Sequence, residues 1–179
     1  MQTESLATIR KRATQAAAQV LNEHWADEFG EIDLPVDATV IAERIGARVF
    51  AADLSGHDEL SGFVYIPPGK ERPEITINSS EHIHRRRFTC AHEIGHILDP
   101  RIDKNTEHGF MDHRDSLSSA GTDPREVFAN AFAATLLMPS DEIEWLAEEL
   151  DLYGLAKKFR VSTDAMSNRL ATLGIRCRG

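Results

Sequence analysis

The chain has 179 residues, an apolar fraction of 41% and a formal net charge of −9. These values predict one globular domain, because the apolar fraction is too high for a disordered chain and no apolar run reaches the length of a bilayer span. The negative charge disfavours direct nucleic-acid binding, which needs a basic surface. The two cysteines are too few for a disulfide scaffold, and the N-terminus lacks the apolar core of a secretory signal. We therefore expect a cytoplasmic protein without a membrane span.

Helices and then strands are predicted in the first half of the chain. Apolar residues at helical spacing predict one long helix within residues 1–34, packed across the outside of the domain. Asp37 is suited to cap a second, short helix that ends at Gly46. Three alternating runs follow, at residues 49–51, 63–65 and 75–77. We expect a small antiparallel three-stranded meander, with an edge to which an extended peptide could add.

The second half of the chain is mostly helical by pattern. Helical spacing covers residues 85–98 and stops at Pro100. Residues 101–122 show no periodicity, which predicts a lid, a binding loop or a disordered segment. Helical patterns then continue to the C-terminus. The prediction is an α+β single domain (1–179) with an N-terminal helix (1–34), a core (35–139) and a C-terminal helical part (140–179) that resembles a helix-turn-helix.

The sequence TCAHEIGHILDP contains two histidines, His92 and His96, on one face of the predicted helix, with Glu93 beside them. A catalytic zinc ion takes three protein ligands and keeps a fourth position for water, so this pattern lacks one ligand. The alternative is a pair of solvated surface histidines. Gly95 costs about 1 kcal/mol inside a helix, which indicates close approach by a neighbouring strand or a substrate. Cys90 points away from the histidine face and is expected to be a core residue.

The third ligand must come from a second segment, because Asp99 lies about 10 Å along the helix from His92. Several downstream side chains have suitable chemistry: His108, Asp112, His113, Asp123 and Glu126. Glu126 fits a capping box behind Asp123, or it faces the preceding helix with Asn130 one turn further on. An oxyanion-stabilising residue stays open among Tyr65, His108 and His113.

Two linked motifs, RRRFTCAHEIGH and then EVFANAFAATLLMP, resemble the ImmA/IrrE family of bacterial metallopeptidases. Further agreement comes from PVDATVIAERIGARV, a turn at Ser61-Gly62, the ITIN strand and the tail LAKKFRVSTDAMSNRLATLG. The resemblance implies a zincin-like fold in which His92, His96 and Glu126 bind the metal. It also implies that Glu93 is the catalytic base.

The activity implied by the resemblance is metal-assisted hydrolysis of a peptide bond by a zinc-dependent endopeptidase. Manganese is an alternative metal, because two histidines and a carboxylate accept either ion. The implied substrate is a helix-turn-helix (XRE-like) transcriptional repressor in a phage, mobile-element or stress response.

Two other functions stay open. One is a non-catalytic antirepressor or antitoxin-like binding module with a structural metal. The other is a DNA-binding regulator that acts through the C-terminal tail. The tail is locally basic, with six cations against two acids: Lys157, Lys158, Arg160, Arg169, Arg176 and Arg178 against Asp151 and Asp164.

Overall fold

A computed structural model describes residues 4–57, 59–69, 72–103, 105–113 and 123–178, with the backbone alone described at His113. Within these residues the fold is mixed α+β. The helices are α1 (Leu6–His24), α2 (Ala38–Arg44), α3 (Ile83–Leu98), α4 (Pro124–Leu137), α5 (Ser140–Ala147), α6 (Leu152–Phe159) and α7 (Thr163–Leu173). The strands are β1 (Arg48–Ala52), β2 (Leu60–Ile66), β3 (Glu74–Asn78) and β4 (His108–His113). No helix in the described ranges combines the length and apolarity needed to cross a membrane.

The sheet has four strands in the order β1-β3-β2-β4, so the predicted three-stranded meander is wrong. β3 pairs antiparallel with β2 but parallel with β1, with Val49 opposite Ile75. The buried side chains of Ile75 and Ile77 explain the central position of β3. A strand buried in this way satisfies its backbone hydrogen bonds by pairing along both edges.

Ser61 and Gly62 lie inside β2 and do not form the expected turn. The register of β2 against β4 shifts between Leu60 and Gly62. A Cβ atom at Gly62 would lie 2.6 Å from Cγ2 of Thr89 and 2.7 Å from the carbonyl oxygen of Thr76. Gly62 therefore allows α3 to pack directly against the sheet.

The N-terminal helix is shorter than predicted, and it packs against α4 with one face while its other face is exposed. After His24, local hydrogen bonds replace helical ones: the indole of Trp25 donates to the carbonyl of Asp33, and the Asp27 side chain accepts two backbone N–H groups. The apolar stripe of α1 is buried in the core: Ile9, Ala13, Ala17, Val20 and Leu21. α1 thus supports the helix that carries Glu126.

The segment predicted to be irregular contains β4, which is the neighbour of β2 at one side of the sheet. Phe110 is partly buried and Asp112 is buried, whereas Gly109 and Met111 are exposed. This alternation is that of a strand with one covered face. Residues 114–122 of the predicted segment lie outside the described residues.

The C-terminal helical pair packs on the rest of the chain. Its apolar side chains are buried: Leu155, Phe159, Val161, Met166 and Leu170. Arg169 is buried among them and donates from Nε to the carbonyl of Met138 at 3.0 Å. One of the six tail cations is therefore turned inward.

Candidate metal centre

α3 places two imidazoles side by side in the interior. The helix begins after His82, whose ring accepts a hydrogen bond from the backbone of His84, and ends at Asp99, before Pro100. His92 and His96 are 1% and 2% exposed, so they are not solvated surface histidines. Their Nε2 atoms lie 3.0 Å apart, as expected for residues one turn apart that point at a common centre.

α4 brings Glu126 to the same point. Asp123 caps this helix by accepting from the N–H of Arg125, and Glu126 lies in the first turn. Its carboxylate oxygens lie 3.3 Å from Nε2 of His92 and 3.3 Å from Nε2 of His96. The Glu126 carboxylate therefore faces across to α3, as in the second of the two predicted arrangements.

The close contact between α3 and α4 depends on Gly95. A Cβ atom there would lie 2.8 Å from the Cα of Ala129 and 3.2 Å from its carbonyl oxygen. The close approach expected at Gly95 is real, but the neighbour is a helix and neither a strand nor a substrate. Because Ala129 lies between Glu126 and Asn130 on α4, this contact sets the distance at which both side chains meet the histidines.

Asn130 orients His92. The side-chain oxygen of Asn130 lies 3.0 Å from Nδ1 of His92, and an amide oxygen only accepts hydrogen bonds. In its neutral form His92 therefore carries its proton on Nδ1, and the lone pair of Nε2 is available to a metal ion. This arrangement is typical of histidines that bind metals.

The pKa shifts of His96 and Glu126 suit a metal site. Burial lowers the pKa of His96 and so favours the neutral imidazole, despite the nearby Glu126. Burial alone would raise the pKa of Glu126, but hydrogen bonds and charge interactions with His92 and His96 hold it below its ordinary value. The three ligand atoms all lie within 4.8 Å of one another. Two imidazole nitrogens and one carboxylate form a donor set that zinc accepts, so the residues fit the ion.

Glu93 lies beside this cluster and is fully buried. Neither carboxylate oxygen has a hydrogen-bond partner among the described residues. Burial, and then the charges of Asp112 and Glu126, raise the pKa of Glu93 well above its ordinary value. A buried carboxylate without partners is costly, which indicates a chemical use rather than a stabilising one.

The other predicted ligands have different partners. The ring of His108 bonds to Thr106 and to the carbonyl of Asp103. Asp99, which helix geometry excluded as a ligand, pairs with Arg101. Asp112 accepts a 3.1 Å hydrogen bond from Thr89 and pairs with Arg85. The side chain of His113 lies outside the described residues. Tyr65 is 37% exposed on β2, and its suggested role towards an oxyanion stays a prediction.

Sequence reasoning missed Phe110. Its ring stacks on the His96 imidazole with centroids 4.5 Å apart and planes 2° from parallel. The available signal was the alternation of apolar and polar residues in HGFMDH. The segment has only six residues, and its two histidines and one aspartate obscure the apolar pattern. Phe110 covers His96 on the side of β4.

The sequence profile of peptidase family M78, described as the IrrE N-terminal-like domain, matches residues 42–171. The chain belongs to the peptidase M78 family. Membership confirms the resemblance to ImmA/IrrE proteins and relates the chain to zinc metallopeptidases. No curated protein matches this M78 chain significantly.

Among solved structures, the M78 chain is similar to a Mycobacterium tuberculosis transcriptional regulator, with a TM-score of 0.60 and 20% sequence identity. The match covers 99% of this chain and 55% of that chain. At this identity the likeness concerns the fold alone. The M78 chain spans about half the length of that regulator.

Proposed function

We propose that this M78 chain is a zinc-dependent endopeptidase. The observation that carries the proposal is the convergence of His92, His96 and Glu126 beside the buried, unpaired carboxylate of Glu93. In this assignment the first three residues hold the metal, which when bound polarises a carbonyl and acidifies water. Manganese is the alternative ion, because the same donors accept it.

Glu93 is the general base in this proposal. Its raised pKa suits a group that takes a proton from the attacking water and returns it to the amine leaving group. Asn130 fixes the tautomer of His92, and Phe110 covers His96. These two residues position the imidazoles and do not contact the reacting atoms.

The family supports a proposal for the substrate class. M78 membership and a fold similar to that of a transcriptional regulator support a protein substrate that regulates transcription. We assign it to a helix-turn-helix repressor, with the chain acting on the protein rather than on its DNA site. The inward position of Arg169 reduces the basic surface of the tail and supports this choice.

The test incubates the zinc-loaded protein with the repressor encoded nearest its gene and identifies cleavage by mass spectrometry. Glu93→Gln should keep zinc and lose cleavage, whereas Glu144→Gln, the same exchange at an exposed position, should retain both. Cleavage by the Glu93→Gln protein at the parent rate would exclude Glu93 as the base.

Expression of the repressor's target gene distinguishes the binding-module alternative from the peptidase. If Glu93→Gln relieves repression of the target gene as well as the parent does, relief does not require peptide-bond cleavage. The metal is then structural. The DNA-binding alternative predicts salt-sensitive association of the full chain with duplex DNA, measured by fluorescence anisotropy. Lack of association with DNA at low salt would exclude the DNA-binding alternative.

A further inference from the structure

A cavity of about 730 Å³ adjoins the metal centre. It is bounded by α1, by the start of α3, and by α4 and α7. Apolar side chains form much of its wall: Phe88, Val127, Ala131, Ala134 and Val161. Its volume is that of a pocket for a small ligand or a few peptide residues.

Asn130 connects this cavity to the candidate metal centre. It is one of the lining residues, and its side-chain oxygen bonds to Nδ1 of His92. Asn130 therefore links the wall of the cavity to the Nδ1 side of His92.

Arg169 is the unusual member of the wall. It is 7% exposed, and burial lowers its pKa. Its Nε donates to the carbonyl of Met138, but its Nη2 has no acceptor among the described residues. The contact with Met138 explains the Nε donor of the guanidinium and leaves the Nη2 donors unexplained. An unmade hydrogen bond at a buried charged group is costly unless a ligand supplies the acceptor.

Arginines outnumber carboxylates in the wall of the cavity. Arg10 and Arg85 line it together with Arg169, and Asp164 is the one carboxylate among its described lining residues. Burial, and then neighbouring basic side chains, lower the pKa of His84 and favour its neutral form, so the positive charge is that of the arginines. An anionic ligand is favoured at such a position.

We propose that this cavity is a specificity pocket for a carboxylate on an aliphatic stem, held at Arg169, and we assign it to a glutamate side chain of the substrate. The apolar wall matches the methylene groups of glutamate, and the guanidinium matches its carboxylate. This inference rests on the proposed peptidase function. It adds an acidic residue near the cleaved bond to the description of the substrate.

The test uses three small probes with the full chain. N-acetylglutamate α-methylamide carries a side-chain carboxylate, N-acetylglutamine methylamide carries none, and N-acetylalanine carries a terminal one. Binding is followed by NMR at the Nε–H resonance of Arg169, which is assigned by its loss in Arg169→Gln. The glutamate probe should bind at least about tenfold more tightly than the glutamine probe, because a charge-assisted hydrogen bond is made only by the carboxylate.

Variants separate a recognition role from a purely structural one. Probe binding to Arg169→Gln is measured by backbone amide resonances, because the variant lacks the Arg169 Nε–H signal. This variant should lose the preference for the glutamate probe. Arg176→Gln removes the same charge from the same tail outside the cavity and should keep the preference. Ala131→Leu fills the cavity while leaving Arg169 in place, and should weaken the glutamate probe at least about tenfold. If Arg169→Gln does not fold, Ala131→Leu decides.

Equal binding of the glutamate and glutamine probes to the parent overturns the proposal. An unchanged preference in Arg169→Gln, or unchanged affinity of Ala131→Leu for the glutamate probe, overturns it as well. Binding of N-acetylalanine in place of the glutamate probe keeps the carboxylate site but overturns its assignment to a side chain. The titrations are run with a chelator and again with zinc, and no peptide is cleaved in them. The cleavage test can therefore contradict the peptidase function, and the titrations can separately contradict the glutamate pocket.

Discussion

The side-chain oxygen of Asn130 lies 3.0 Å from Nδ1 of His92 and joins the second helix of the candidate metal centre to the first ligand. The contact fixes which nitrogen of His92 carries the proton. It also places one residue in two sites, because Asn130 lines the cavity that contains Arg169. Its substitution should therefore affect metal binding without removing a ligand.

Asn130→Ala is expected to lower zinc affinity about 10-fold to 100-fold, as found when outer partners of metal-binding histidines are removed. Competition with a chromophoric chelator measures the affinity. Asn130→Asp keeps an oxygen acceptor and should restore binding. Equal zinc affinity in Asn130→Ala and the parent would contradict the assigned role.

Zinc should stabilise the fold, because its three ligands lie on two separate helices. At a zinc concentration about 100-fold above the dissociation constant, the free energy of unfolding should rise by about 2.7 kcal/mol. Glu126→Ala should remove most of this rise, and Glu144→Ala, at an exposed site, should retain it. Urea denaturation of the parent and both variants, with and without a chelator, gives the six free energies of unfolding. A full response to zinc in Glu126→Ala would exclude Glu126 as a ligand.

Glu93 should destabilise the metal-free protein as pH rises. Its folded pKa is raised, so above the ordinary glutamate value the folded state holds more protons than the unfolded state. Its contribution to folding is thus present at low pH and lost at higher pH. Glu93→Gln should be more stable than the parent by about 1–3 kcal/mol at pH 8, with a smaller difference at pH 5. Denaturation in the presence of a chelator at both pH values tests this, and a difference that grows towards pH 5 would reverse the sign.

The contact between Gly95 and Ala129 permits a matched pair of glycine substitutions. Gly95→Ala should cost about 1–3 kcal/mol of unfolding free energy, because the added methyl group meets backbone atoms of α4. At Gly109 a Cβ atom would meet nothing within 4 Å, so Gly109→Ala should be nearly neutral. Thermal unfolding compares the two. Equal effects would mean that α3 and α4 are further apart than described.

Cys90 should be unreactive in the folded protein. Burial raises the pKa of its thiol to about 12, and the side chain is 1% exposed. Cys177 is only partly buried and should alkylate at least about 100-fold faster, since the thiolate is the reactive form. Mass spectrometry of protein treated with iodoacetamide, native and in urea, distinguishes the two thiols. Modification of Cys90 without urea at a rate similar to that of Cys177 would contradict its place in the core.

Helix geometry was sufficient to place His92 and His96 on one face, because that relation is local. Residue reasoning alone left five candidates for the third ligand, since nothing local says which distant segment meets α3. The resemblance to ImmA/IrrE proteins favoured Glu126, which the structure places 3.3 Å from both imidazoles. The role of Glu93 and the metal itself stay predictions, as does the division of the chain at residues 34 and 139.

Alternation located three of the four strands but not their order. A period of two shows that a segment has one covered face, and it does not show which strand lies beside it. The parallel pairing of β1 with β3 was therefore missed. The extent of α1 was overestimated because the side-chain bonds of Trp25 and Asp27, which replace helical ones, have no periodic signature.

The parallel rings of Phe110 and His96 provide a spectroscopic label that the protein already contains. An aromatic ring 4.5 Å from an imidazole shifts the imidazole carbon-bound protons upfield through its ring current. Those protons should stand apart from the other histidine signals in a one-dimensional spectrum. Zinc titration can therefore be followed at His96 without isotopes, chromophores or a known substrate.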